Sequence, residues 1–196
     1  MPLIDTWVSP NHLTTLRLGV GLAAAAAFIP GSYGWSNLAA LLLILSNFLD
    51  HTDGELARMS GKTSRIGHLY DLASDAAVTV LLFVAIGVGI AAKTDVHLAL
   101  PPALLGLVAG TAVALIFYLR MRIEALLGKV ATRQASLGGF ETEDVLYLLP
   151  LATLCNALLP LLLAASICTP LYAIWAVIDF QRVRRGDRRM ATGVAR

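Results

Sequence analysis

Charged residues are scarce in this chain: Asp, Glu, Lys and Arg make up 14% of its 196 residues. A soluble domain carries about 25%. Hydrophobic residues reach 57% and mean hydropathy is +0.73, which excludes an ordinary soluble domain and points to an integral membrane protein. The formal net charge of +2 is small, and no nucleic-acid partner is expected. Cysteine is almost absent. Cys155 and Cys168 both lie in apolar runs and are expected to be buried free thiols; a disulfide between them stays open, but a disulfide-rich scaffold is excluded. The length leaves room for several membrane spans and little else, so one domain over residues 1–196 is expected.

The few acids are not scattered. Asp50, Asp53, Asp71 and Asp75 fall within 26 residues, with long apolar runs on either side. Carboxylates at a membrane are costly and are functional candidates by default. Asp50 and Asp53 are spaced i, i+3 and Asp71 and Asp75 i, i+4, so on helices each pair shares a face, about 60° and about 40° apart around the axis. Two such helices facing one another would gather four carboxylates. Without a cation that cluster would repel itself and take up protons. Hard divalent ions with oxygen ligands are the natural remedy, Mg²⁺ or Mn²⁺ first. The neighbours suit phosphate: Gly54 leaves space beside Asp53, Ala57 keeps the surroundings narrow, Arg58 offers a planar fork, and Gly67 opens space near the start of the second helix.

The pattern D-x2-D-G-x2-A-R-x8-G-x3-D-x3-D formed by Asp50, Asp53, Gly54, Ala57, Arg58, Gly67, Asp71 and Asp75 resembles the signature of the CDP-alcohol phosphotransferase family of membrane enzymes. At roughly 7% usage per residue type, a chance match at all of these positions is on the order of 10⁻⁹ per starting point. The resemblance implies a reaction in which a CDP-linked alcohol, such as CDP-diacylglycerol, gives its phosphoryl-alcohol part to the hydroxyl of an acceptor alcohol and CMP leaves. It implies two divalent ions, Mg²⁺ or Mn²⁺, held by Asp50, Asp53 and Asp71, with Asp75 as general base and itself close to a metal. It assigns Asp53, Gly54, Ala57, Arg58 and Gly67 to the CDP moiety. Family members generally pair in the membrane, and Gly106-x3-Gly110 offers a small-residue face for a homodimer.

Read in order, the chain is expected to be all-α with six transmembrane helices. Residues 1–11 are too short for a domain. Ser9 or Asn11 caps the first span, with Thr14, Thr15 and Arg17 in its first turns; a polar helix start and a ligand contact both stay open for these residues. Span one runs over about 13–29. Its alanine tract is like a signal-peptide core, but a second span follows at once, so cleavage is not expected. Span two covers about 35–49 and continues as helix through Arg58. Span three runs from near Gly67 to Ala92, and span four over about 98–119 with Pro101-Pro102 in its first turn. Span five covers about 145–159, a turn or kink falls at Pro160, and span six reaches about Ile178. Basic residues gather in the loops after spans two and four and in the tail at 181–196. The positive-inside rule puts that side, both termini and the aspartate cluster in the cytoplasm. The basic tail also sits against anionic lipid. We place the chain in a bacterial or archaeal cytoplasmic membrane with its active site near the cytoplasmic face.

The acceptor is less legible. Relatives that use phosphorylated acceptors often carry Lys or Arg directly after the fourth aspartate, where this chain has Ala76. That departure tilts the reading away from a phosphorylated acceptor, although Arg65, Arg120, Arg122, Lys129 and Arg133 stand as possible substitutes. Glu141, Glu143 and Asp144 are read first as a solvated acidic helix start and second as a contact for an amine-bearing group. His51 and His68 are not required by a hard oxygen site, and Tyr70 and Ser74 are read as packing or supporting residues. Three competitors stand beside this reading: an ion-coupled carrier using the same acids, a non-catalytic membrane scaffold, and a reversed donor scheme in which CDP-choline or CDP-ethanolamine serves a lipid alcohol.

Overall fold

The computed structural model describes residues 10–60, 65–93, 98–127 and 144–193; within them, side chains at 10, 51, 53–60, 65, 68, 124, 127, 144–147 and 186–193 lie outside the description. The described residues form six helices: α1 (Pro10–Phe28), α2 (Tyr33–Ser60), α3 (Arg65–Lys93), α4 (Pro102–Leu127), α5 (Asp144–Leu154) and α6 (Leu158–Gly193). The all-α reading holds. Three of the helices contain a stretch long and apolar enough to cross a membrane, Leu69–Lys93, Pro102–Ile123 and Leu158–Arg185. The other three helices fall short of that measure over their described residues. The 19-residue α1 opens on polar residues, α2 ends in the acidic segment, and the 11 residues of α5 rise only about 16 Å against a hydrocarbon core of about 30 Å.

The helix boundaries follow local chemistry. Pro102 stands at the first position of α4, and the Pro101 carbonyl accepts from the backbone N–H groups of Leu104 and Leu105 at 2.9 and 3.1 Å. The break expected at Pro160 falls earlier. Asn156 takes the left-handed conformation, φ 54°. Its N–H donates to the Thr153 carbonyl at 3.1 Å and that of Ala157 to the Ala152 carbonyl at 2.7 Å, the bonding pattern that closes a helix on a left-handed residue. Pro160 then sits in the first turn of α6, where it sacrifices no helix hydrogen bond. Helix also continues past the expected ends of spans six and four, from Ile178 through the arginine-rich segment to Gly193 and from Leu119 to Leu127.

α3 lies at the centre, packed on α1, α4 and α6, while α1 also packs on α2, α2 on α5, and α4 on α6. Phe28, Leu82, Phe83, Ile86, Leu149 and Leu162 are buried in the main core. The outer faces are apolar instead of charged: Leu41, Phe48, Ile167, Leu171 and Ile174 are all exposed. Apolar exposure on this scale marks a surface that meets lipid. It also corrects the cysteine reading. Both thiols are free, but Cys155 and Cys168 are exposed, because an apolar run in a membrane helix faces lipid as readily as protein.

Gly106 and Gly110 turn out to serve the chain's own packing. A Cβ at Gly106 would strike the Phe83 carbonyl oxygen, and one at Gly110 would lie 2.9 Å from the Val80 Cα. Both neighbours belong to α3, so the pair lets α3 and α4 approach inside one chain and does not supply a face for a second copy. Gly106→Ala should therefore cost about 1–3 kcal/mol by forcing backbone against backbone, read as a lowered thermal midpoint in detergent. An unchanged midpoint with an altered oligomer distribution would reverse that assignment.

Candidate metal and nucleotide site

Asp50 comes from α2, and Asp71 and Asp75 come from successive turns of α3. One carboxylate oxygen from each lies within 4.8 Å of the others. The sequence reading brought two helices face to face. What joins them in the structure is a third: α1 packs on both α2 and α3 and delivers Arg17 between the acids. Arg17 Nη1 donates to Asp50 Oδ1 and to Asp75 Oδ1. Its Nη2 donates to Asp71 Oδ1 at 2.8 Å and to the Asp71 backbone carbonyl at 3.4 Å. A guanidinium can do this because its donors fan out in a rigid plane.

The burial is asymmetric. The Arg17 side chain is 6% exposed, whereas those of Asp50, Asp71 and Asp75 are 41%, 37% and 45% exposed. The cation thus forms a floor, and the carboxylates open outward from it. Neighbouring contacts fix α1 in this position. Ser46 Oγ on α2 donates to the Arg17 carbonyl at 3.2 Å. Thr15 Oγ1 donates to the Asn11 carbonyl at 2.8 Å and so accepts from the Tyr70 hydroxyl of α3 at 3.1 Å. One turn after Arg17, a Cβ on Gly21 would lie 2.8 Å from both γ-methyls of Val78 and 3.3 Å from Ser46 Oγ, so glycine is what lets α1 pass so close to α3 and α2.

Other expected site residues are placed only in part. Asp53, Gly54, Ala57 and Arg58 continue α2 beyond Asp50, with side chains outside the described residues. Gly67 lies in the first turn of α3, on the face that carries Asp71 and Asp75 by its i, i+4 register. Ser74 donates to the Tyr70 carbonyl at 2.8 Å and is buried, a supporting contact within α3. The side chains of His51, His68, Arg65 and Asp144, and residues Lys129, Arg133, Glu141 and Glu143, lie outside the described residues. Arg120 and Arg122 are on α4. From the sequence alone Arg17 is open between a polar helix start and a ligand contact. The signal that singles it out was present: it is the sole Asp, Glu, Lys or Arg between Asn11 and Leu49, and a lone charge in an apolar helix calls for a partner.

The donor chemistry fits a divalent ion. Three hard carboxylate oxygens converge, with no sulfur or imidazole among the described members of the group, and such a set favours Mg²⁺ or Mn²⁺. Several known proteins are similar in sequence. Cholinephosphotransferase 1 of Danio rerio is 38% identical over 92 residues, 43% of this chain and 24% of that protein. A bifunctional IPC transferase and DIPP synthase of Rubrobacter xylanophilus is 32% identical over 148 residues, 73% of this chain and 30% of that protein. A CDP-diacylglycerol–glycerol-3-phosphate 3-phosphatidyltransferase of Cereibacter sphaeroides is 37% identical over 81 residues, 41% of this chain and 37% of that protein. The matched region thus spans well under half the length of each of these relatives. A family model described as CDP-alcohol phosphatidyltransferase matches residues 7–180, from before α1 to near the end of the apolar part of α6, and the chain belongs to that family.

Proposed function

We propose that the chain transfers a phosphoryl-alcohol group, in the first instance phosphatidyl, from a CDP-alcohol such as CDP-diacylglycerol to an acceptor hydroxyl, releasing CMP. The observation that carries this reading is the convergence of Asp50, Asp71 and Asp75 within 4.8 Å in a chain whose family acts on CDP-alcohols. In this reading Asp50, Asp53 and Asp71 hold two divalent ions, with Asp75 beside them. Bound there, Mg²⁺ or Mn²⁺ would neutralise the pyrophosphate and steady the attacking and leaving oxygens. Arg58 binds a phosphate, and Gly54, Ala57 and Gly67 leave room for the nucleotide. Asp75 takes the proton from the acceptor hydroxyl. The acceptor oxygen then bonds to the phosphorus that carries the donor alcohol, the bond from that phosphorus to the CMP oxygen breaks, and CMP departs with the electron pair.

Ala76 supports an acceptor without its own phosphate. The reversed scheme, CDP-choline or CDP-ethanolamine onto a lipid alcohol, is the second reading, and the similarity to Cholinephosphotransferase 1 favours it. The same proposal includes six spans, cytoplasmic termini, a site near the cytoplasmic face of a bacterial or archaeal membrane, and a homodimer; the basic residues of α6, including Arg182, Arg184 and Arg185, support the orientation.

The test is CMP release by the purified chain from labelled CDP-diacylglycerol, CDP-choline and CDP-ethanolamine, against serine, glycerol phosphate, inositol phosphate, choline and diacylglycerol. At least one pair is expected to release CMP, with activity falling at least about 100-fold on chelation and returning with Mg²⁺ or Mn²⁺. Release that ignores chelation would reject the metal reading. No release from any pair would favour the carrier or scaffold.

A further inference from the structure

We propose that Arg17 is a built-in counter-cation that makes divalent-ion loading depend on the nucleotide donor. The proposal rests on the metal-site reading above and adds a positioning residue that the motif does not contain. Arg17 divides its fork among three acids on two other helices, engaging a single carboxylate oxygen, Oδ1, of each. Its side chain is 6% exposed, beneath carboxylates that are 37–45% exposed. The positive charge is therefore fixed in the floor, and the open side of the cluster is where a ligand arrives.

The electrostatic consequence has a definite sign. Three carboxylates this close repel one another, and a guanidinium among them offsets one of the three charges. The cluster thus holds its shape without a metal. An arriving divalent cation meets repulsion from that guanidinium a few ångströms away and competes with it for the three Oδ1 atoms. Coulomb repulsion at such range outweighs the benefit of prearranged ligands, so Arg17 weakens ion binding by the protein alone. A pyrophosphate entering from the open side adds negative charge and reverses the balance. Ions and donor then load together, and by linkage each tightens the other by the same factor.

The test is Mn²⁺ titration of the purified, metal-free full chain by calorimetry and electron paramagnetic resonance, with and without CDP, at one pH and ionic strength. Wild type is expected to bind Mn²⁺ weakly alone and at least about tenfold more tightly with CDP. Arg17→Gln should bind Mn²⁺ alone at least about tenfold more tightly than wild type, about 1.4 kcal/mol, and should respond less to CDP. Arg17→Lys retains the charge and should stay within about threefold of wild type. Metal-free Arg17→Gln should melt below wild type, and Mn²⁺ should raise its midpoint by more. If that variant folds only with an ion present, purification in Mn²⁺ and competition by a chelator read the same affinity. Arg17→Gln binding Mn²⁺ no more tightly than wild type, or Arg17→Lys behaving like Arg17→Gln, overturns the proposal. Wild type that binds no Mn²⁺ with or without CDP rejects the metal site itself and this inference with it, which separates the two failures.

Discussion

Asp50→Asn, Asp53→Asn and Asp71→Asn should each weaken Mn²⁺ binding and lower the rate of CMP release by roughly 10³-fold or more. Asparagine keeps the size of the side chain and one oxygen but loses the charge. For Asp50 and Asp71 the structural reason is direct, since both place an oxygen in the convergent set. Either substitution takes the group formed by Arg17, Asp50, Asp71 and Asp75 from a net charge of −2 to −1, so the same guanidinium then repels an incoming cation with less opposition. Asp53 enters through its i, i+3 spacing from Asp50 on α2. Metal stabilisation of transition-state charge is worth several kcal/mol, and about 4 kcal/mol corresponds to the rate loss expected. Single-turnover CMP release at saturating Mn²⁺, with a Mn²⁺ titration of each variant, checks this. Full activity in any two of the three variants would sink the two-ion site.

Much of this site was legible because the information is local. Spacings of three and four residues say which carboxylates share a helix face, whatever the rest of the chain does, and Asp71 and Asp75 do lie together on α3. Proline at the start of α4 was equally local: Pro101 and Pro102 fix where the helix begins. Arg17 was harder, because its partners are 33, 54 and 58 residues away. Its isolation in an apolar helix could be read from the sequence; the identity of its partners depended on α1 passing between α2 and α3. The helix break near Pro160 was misplaced because proline is a more conspicuous signal than Asn156, although asparagine tolerates the left-handed conformation that closes α5. Gly106-x3-Gly110 shows a different limit. Small residues announce a close helix approach, but the partner, here Phe83 and Val80 of α3, is settled by tertiary packing. Exposure of Cys155 and Cys168 has the same origin, since hydropathy does not distinguish a lipid-facing side from a protein-facing one.

Asp75→Asn should separate chemistry from binding. If Asp75 is the general base, the variant should keep CDP-alcohol affinity near wild type and lose clearly less Mn²⁺ affinity than Asp50→Asn or Asp71→Asn, while the rate of CMP release falls by roughly 10²–10⁴-fold, the usual worth of such a base. Asp75 lies one turn along α3 from Asp71, with its side chain 45% exposed, so an acceptor hydroxyl can approach it from the open side of the cluster. Asp75 also belongs to the set of oxygens within 4.8 Å and shares Arg17 with Asp50 and Asp71, so geometry alone allows it to be a ligand as well. The two roles differ in when they act. A ligand organises the ground state, and losing it should show in the titration. A base acts as the hydroxyl is deprotonated, and losing it should show in the rate. Calorimetric titrations of Mn²⁺ and of CDP-alcohol, followed by single-turnover CMP release, divide the loss between these steps. If Asp75→Asn loses as much Mn²⁺ affinity as Asp71→Asn, coordination is its main task, and the proton must be taken by another group at the open side of the cluster.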